Sequence, residues 1–182
     1  MTQQATPEET LATWEAEEAA VRARRGPLGV IRPEQVAGKS GIEIFNAMFS
    51  GELPQPHIGQ TLNFLPLRVE PGHAIFQGRP NVAHYNPLGT VHGGWFATLL
   101  DSCVACAVHS ALPAGKTYTT VELKINIVRA LTDKIPLVRA EGKIIHLGRS
   151  MGTAEGRLYG HDGKLYAHAS TTCFIMDAPN PK

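Results

Sequence analysis

The hydrophobic and polar positions of this chain fall into two rhythms. From Thr117 to Arg129 they alternate, with Thr120, Glu122, Lys124 and Asn126 on one face and Val121, Leu123, Ile125 and Ile127 on the other, the period of a half-buried strand. Strands are also predicted over Thr61–Glu70 and His73–Arg79, parted by the turn signal Pro71-Gly72. Three more fall over Pro136–Leu147, Ser150–Tyr159 and Lys164–Met176, the last two parted by His161-Asp162-Gly163. Among these strands lies a segment from about 93 to 112 that is apolar almost all round and stops at Pro113-Ala114-Gly115. A helix of that kind has no face to give to water, so a sheet or a partner must wrap it. Short turns between strands favour antiparallel pairing. The fold class is therefore α+β, a curled antiparallel sheet around one long central helix.

The first residues follow neither rhythm. Thr6-Pro7-Glu8-Glu9 has the spacing of a capping box with proline at the first helical position, which predicts a helix from about 7 to 25, stopped by Gly26-Pro27. Its apolar positions, Leu11, Trp14 and Val21, are sparse, as in a surface extension or a helix that packs on a partner. A second box, Ser40-Gly41-Ile42-Glu43, starts a short helix with Ile42, Phe45 and Met48 or Phe49 on one face, and Gly51 ends it. The chain thus divides into an N-terminal helical extension (1–55), a sheet-and-helix domain (56–178) and a loose tail (179–182).

Composition narrows the partners. A chain of 182 residues with 17 basic and 16 acidic side chains carries a net charge of +1, which argues against general nucleic-acid or membrane-surface binding. It has no apolar run of the roughly 18 residues a membrane span needs. The start lacks a basic region followed by an apolar core, so no export signal is expected. Three cysteines read as reduced thiols of a cytoplasmic protein, and Cys103 and Cys106, inside the apolar helix, as small core residues. His109, near the end of that helix, is expected to enjoy the local dipole. No histidine has a trusted ligand spacing to Cys, Asp or Glu, so neither a metal nor a cofactor is expected.

Chemistry concentrates at the start of the central helix. His92-Gly93-Gly94 opens it with bare glycines, whose N–H groups and partial positive charge suit a carbonyl oxygen becoming an oxyanion. Asp101 is the lone carboxylate in its interior, and a buried carboxylate is costly unless paired or used. It could bond a backbone donor in the core, or it could deprotonate water or attack directly. A weak base of this kind suits an activated acyl group such as a thioester. Eight residues separate Gly93 from Asp101, on the order of 12 Å of helix. That is too far for both to serve one carbon in one chain, so a dimer is predicted in which each site takes one group from each copy. Gly94, Thr98, Asp101 and Ala105 share a helix face, with room for a substrate or a facing chain.

Asn86, His92, Gly93, Gly94 and Asp101, with Thr119 to Asn126 and Leu147-Gly148-Arg149 downstream, form a pattern that resembles the hotdog-fold acyl-CoA thioesterases, in particular the phenylacetate-pathway (PaaI-type) group. The resemblance covers about residues 56 to 176 and leaves out the N-terminal extension. It implies a hotdog fold, hydrolysis of an acyl-CoA to acid and CoA, and two dimers associating as a tetramer. It implies that Gly93, with Gly94, polarises the thioester carbonyl, that Asp101 of the facing subunit is base or nucleophile, and that Asn86 holds the water or the carbonyl. His92 would orient the loop or touch the thioester, and Thr119 or Thr120 would assist, depending on register. Arg149 with Ser150, at a strand junction, is the first candidate for the CoA phosphates, ahead of Arg129, Lys143 and Arg157. Trp95, Phe96 and Leu99 line an acyl pocket or belong to the core. Two other readings stand beside this one: a hotdog hydratase or dehydratase, which would pair a histidine with an acid, and a non-catalytic acyl-CoA binding module.

Overall fold

The computed structural model describes residues 5–179. The first four residues of the expected extension and the last three of the expected tail lie outside them. Four helices come first: α1 (Pro7–Arg22), α2 (Pro33–Val36), α3 (Gly41–Phe49) and α4 (His57–Thr61). The hairpin of β1 (Phe64–Glu70) and β2 (His73–Gly78) leads through a loop to α5 (Gly93–Ser110), and β3 (Lys116–Ile127), β4 (Val138–Leu147), β5 (Met151–Gly160) and β6 (Leu165–Asp177) complete the chain. The strands form one antiparallel sheet in the order β1-β2-β4-β5-β6-β3, curled around α5.

The expected strands and long helices are all present. The one-turn helices α2 and α4 are additions, because four or five residues are too few to show a period. Thr61, expected to begin a strand, instead ends α4. Asn63 follows in the left-handed region (φ 53°), which asparagine tolerates, and turns the chain into β1 at Phe64.

The all-round apolarity of α5 is used. Phe96, Leu99, Leu100, Val104 and Val108 are fully buried against the sheet. Glycines on β5 let the helix come close: a Cβ at Gly156 would stand 2.5 Å from Val104 Cγ1, and one at Gly152 2.7 Å from Val108 Cγ1. Cys103 is a buried core group with its Sγ 3.2 Å from the carbonyls of Ala74 and Ala140, and Cys106 is half-buried, its thiol pushed up to about 12 by burial and so held protonated. Phe45, Met48 and Leu53, before the sheet begins, belong to this same core.

Helix α1 lies against β1, β2 and β4, and polar contacts add to what its sparse apolar positions, Trp14 and Val21, supply there. Glu18 is 3% exposed and accepts hydrogen bonds from Arg22 Nε (2.7 Å), Gln77 Nε2 (2.6 Å) and Arg79 Nε (3.0 Å). Burial works to raise its pKa, but Arg79, Arg22 and Gln77 together outweigh that and hold the carboxyl below the usual range. Arg139 stacks over the Trp14 ring at 4.3 Å and pairs with Glu17. A fully paired polar network thus attaches the extension to the sheet.

His109 departs from expectation. Its ring packs 5.3 Å from Phe45 and 5.0 Å from Tyr118, and burial pushes its pKa down to about 4, so desolvation overrides the helix-end field. The unfolded chain protonates His109 near pH ~6.5 and the folded chain only near 4, so its contribution is complete above the first value and lost as pH falls to the second. Denaturant titrations should show wild type losing up to about 3 kcal/mol relative to His109→Gln over that interval. Parallel stability curves would disprove the assignment.

Candidate active site

Asp101 is half-buried in the middle of α5, and Thr120 Oγ1 donates to its Oδ1 at 3.0 Å. The strict alternation expected of β3 puts Thr120 on the face opposite Leu123 and Ile125. The structure corrects this. Thr120 pairs with Cys173 and Glu122 with Thr172, which leaves Val121 as a bulge, 58% exposed. One extra residue shifts the phase of the strand, so Thr120 and Leu123 can both face the helix. Thr119 and Thr120 both line the cavity at Asp101, but Thr120 holds the carboxylate. Asp101 Oδ2 accepts no hydrogen bond among the described residues.

This cavity measures about 460 Å³. Its walls are Phe45 and Met48 of α3, Ile58 of α4, Phe64 and Pro66 of β1, Phe76 of β2 and Ala105 and Cys106 of α5. Arg25, just past α1, also reaches it. The sequence offered no period or motif by which these extension residues could be assigned to the site.

The other expected group stands elsewhere. Gly93 lines a second cavity of about 370 Å³ with Asn86, Thr90, Phe96, Ile127 and Arg129, and no lining residue is common to the two. His92 caps α5: its Nδ1 accepts the Gly94 N–H at 2.9 Å. The Gly94 N–H is thereby engaged, while the Gly93 N–H has no partner among the described residues. Asn86 Oδ1 accepts from the Leu88 N–H (2.9 Å) and its Nδ2 donates to Thr90 Oγ1 (2.9 Å), folding a tight loop through Gly89 (φ 82°). One Nδ2 hydrogen remains for a ligand.

Arg149 and Ser150 sit exposed in the β4–β5 turn and line neither cavity. The cation beside Gly93 is Arg129, ranked lower on sequence. Trp95 (3% exposed) and Leu99 (0%) are core residues, and Phe96 is core with one side on the Gly93 cavity.

A central helix wrapped by a six-stranded curled sheet, with a bare helix start and a carboxylate two turns on, defines a hotdog-fold protein. The family model of the Thioesterase superfamily matches residues 88–167. A solved structure from Ralstonia eutropha JMP134, described as a candidate thioesterase and phenylacetic acid degradation-related protein, is 30% identical with a TM-score of 0.66. The alignment takes in 71% of this chain and 98% of that one. A mutant of the phenylacetic acid degradation protein PaaI from Thermus thermophilus is 26% identical, with a TM-score of 0.58 and coverage of 65% of this chain and 97% of that one. The chain belongs to the thioesterase superfamily, and its solved neighbours include PaaI-type proteins. A candidate esterase from Halobacterium salinarum is 37% identical over 70 residues, which span 37% of this chain and 44% of that protein. The chain thus matches less than half the length of this curated relative. No helix among the described residues is long and apolar enough to cross a membrane.

Proposed function

We propose that the protein is a cytoplasmic acyl-CoA thioesterase whose sites are shared between two copies. The observation that carries this reading is the separation of Gly93 and Asp101 into two cavities along one helix. In a dimer the Gly93 N–H of one chain polarises the thioester carbonyl, helped by the positive end of α5. Asp101 of the other chain takes a proton from water through its free Oδ2 while Thr120 holds Oδ1. The hydroxide adds to the carbonyl carbon, the oxyanion collapses, and the C–S bond breaks to release CoA thiolate, a far better leaving group than an amine; the thiolate takes up the proton that Asp101 gives back. His92 fixes the helix start, and Asn86 turns its remaining N–H towards the carbonyl or the water.

The partner has a surface to join. β3 is an edge strand of 12 residues with Val121 and Ile127 exposed, and such an edge invites pairing with a second copy. Ile145, Met151 and Phe174, also exposed, offer a second contact for two dimers to associate. Arg149, Ser150 and Arg129 are the groups offered to the CoA phosphates. The hydratase reading has less support, because His92 serves as a helix cap and has no carboxylate within ion-pairing distance among the described residues.

The test is release of free thiol from a panel of aryl, short-chain and long-chain acyl-CoAs. Turnover of at least one class is expected, and no release from any of them would overturn the proposal.

A further inference from the structure

The cavity at Asp101 is apolar except for Asp101, its threonines, the hydroxyls of Ser102 and Tyr118 beside them on α5 and β3, and Arg25, the one cation among the described residues that enters it. Arg25 is held in place by its surroundings. Its Nε and Nη2 donate to Gln55 Oε1 at 3.2 and 3.0 Å. Gln55 is 2% exposed and is fixed in turn by its Nε2 bond to the Met48 carbonyl (2.8 Å) and its backbone N–H bond to the Pro27 carbonyl (2.8 Å). The guanidinium is therefore oriented, half-buried, and leaves Nη1 without a partner among the described residues. No carboxylate among them, Asp101 included, lies within ion-pairing distance of it. Burial, and then the neighbouring charge of Arg22, work against its own positive charge and outweigh the favourable field of Glu18, so an incoming anion would relieve a standing cost.

If the thioester carbon is placed at Asp101, as the hydrolase reading above requires, the rest of the cavity belongs to the acyl group. Phe45, Met48, Phe64 and Phe76 suit methylene or aryl carbon, but a wholly apolar acyl group would leave the guanidinium facing carbon. We infer that the extension makes this cavity selective for acyl groups bearing a carboxylate at their far end, with Arg25 as the residue that recognises it. The substrate class is then the CoA thioester of a dicarboxylic acid. The reaction supplying it is one that activates such an acid at one end, or oxidises the far end of an acyl-CoA.

The test uses thioether analogues of CoA, which bind but cannot be hydrolysed, in short and medium chain lengths. Each carboxyalkyl-CoA is compared with the methyl-ended alkyl-CoA of equal carbon number by calorimetry. Wild type is expected to bind the carboxylate analogue about 10- to 100-fold more tightly, the usual yield of a charge-assisted bond, and Arg25→Met to lose that preference while keeping the alkyl analogue. Arg25→Gln, which keeps a donor for Gln55, carries the same comparison if the methionine variant does not fold. Equal binding of the two analogues by wild type overturns the inference, as does a preference that survives in both variants. So does an equal weakening of both analogues, which would mean that Arg25 holds a phosphate of the coenzyme itself. Because the analogues need no turnover, a carboxylate preference without thiol release would sink only the hydrolase reading. Thiol release that ignores the far end of the acyl group would sink only this one.

Discussion

Asp101→Asn should lower kcat by at least about 10²-fold while the protein stays folded, the order expected when a general base is lost. The amide keeps the shape of the carboxylate and keeps an oxygen to accept from Thr120 Oγ1, so the 3.0 Å bond and the local packing survive. What it cannot do is take a proton from water at Oδ2. Steady-state thiol release together with a melting curve checks both halves, and turnover within about threefold of wild type would remove Asp101 from its role. The same variant tests the sharing of sites. Gly93→Pro removes the backbone N–H at the first helical position, where proline is otherwise well tolerated. Each variant alone should be inactive. A heterodimer of the two restores one site, built from the intact Gly93 of one chain and the intact Asp101 of the other. Heterodimers that form and show no recovery would mean that both groups act within one chain.

The long apolar helix, its glycine start and its lone carboxylate were legible in the sequence because each is a local pattern: periodicity for the helix, residue type and spacing for the rest. The distance along the helix predicts that Gly93 and Asp101 do not share one pocket of a single chain, and they line separate cavities. What stayed hidden depends on contacts between distant segments. The bulge at Val121 is invisible in an alternating stretch, yet it decides that Thr120 faces Asp101. Glu18 looks like any solvated glutamate of an Ala- and Glu-rich helix, and only Gln77 and Arg79, far along the chain, make it the anchor of α1. Arg25 follows the same rule, since its place depends on Gln55. The sequence leaves His92 to orient its loop or touch the thioester, and its bond to the Gly94 N–H appears only in the geometry.

Gly41→Ala should be the most damaging single-methyl change in the chain, at about 3 kcal/mol of stability or more. Gly41 opens α3 where that helix meets the end of α5. Its N–H donates to the Leu112 carbonyl at 3.0 Å, and a Cβ on it would fall 1.8 Å from the His109 carbonyl oxygen. The obstacle is backbone at the end of a buried helix, so no side chain can swing aside, and either α3 lifts or the end of α5 bends. Ser40→Ala, one residue earlier, gives the scale for an ordinary loss at the same place. It removes a hydroxyl bonded to Glu43 at 2.6 Å and should cost about 1 kcal/mol, because the Ser40 N–H still donates to Glu43. Urea unfolding of both variants separates the two scales. A Gly41→Ala loss no larger than that of Ser40→Ala would show that α3 moves away from α5 at little cost. The consequence reaches the site, because α3 carries Phe45 and Met48 into the Asp101 cavity. A lifted α3 widens the space for the acyl group, so any Gly41→Ala protein that folds should lose discrimination between acyl chains before it loses the chemistry at Asp101.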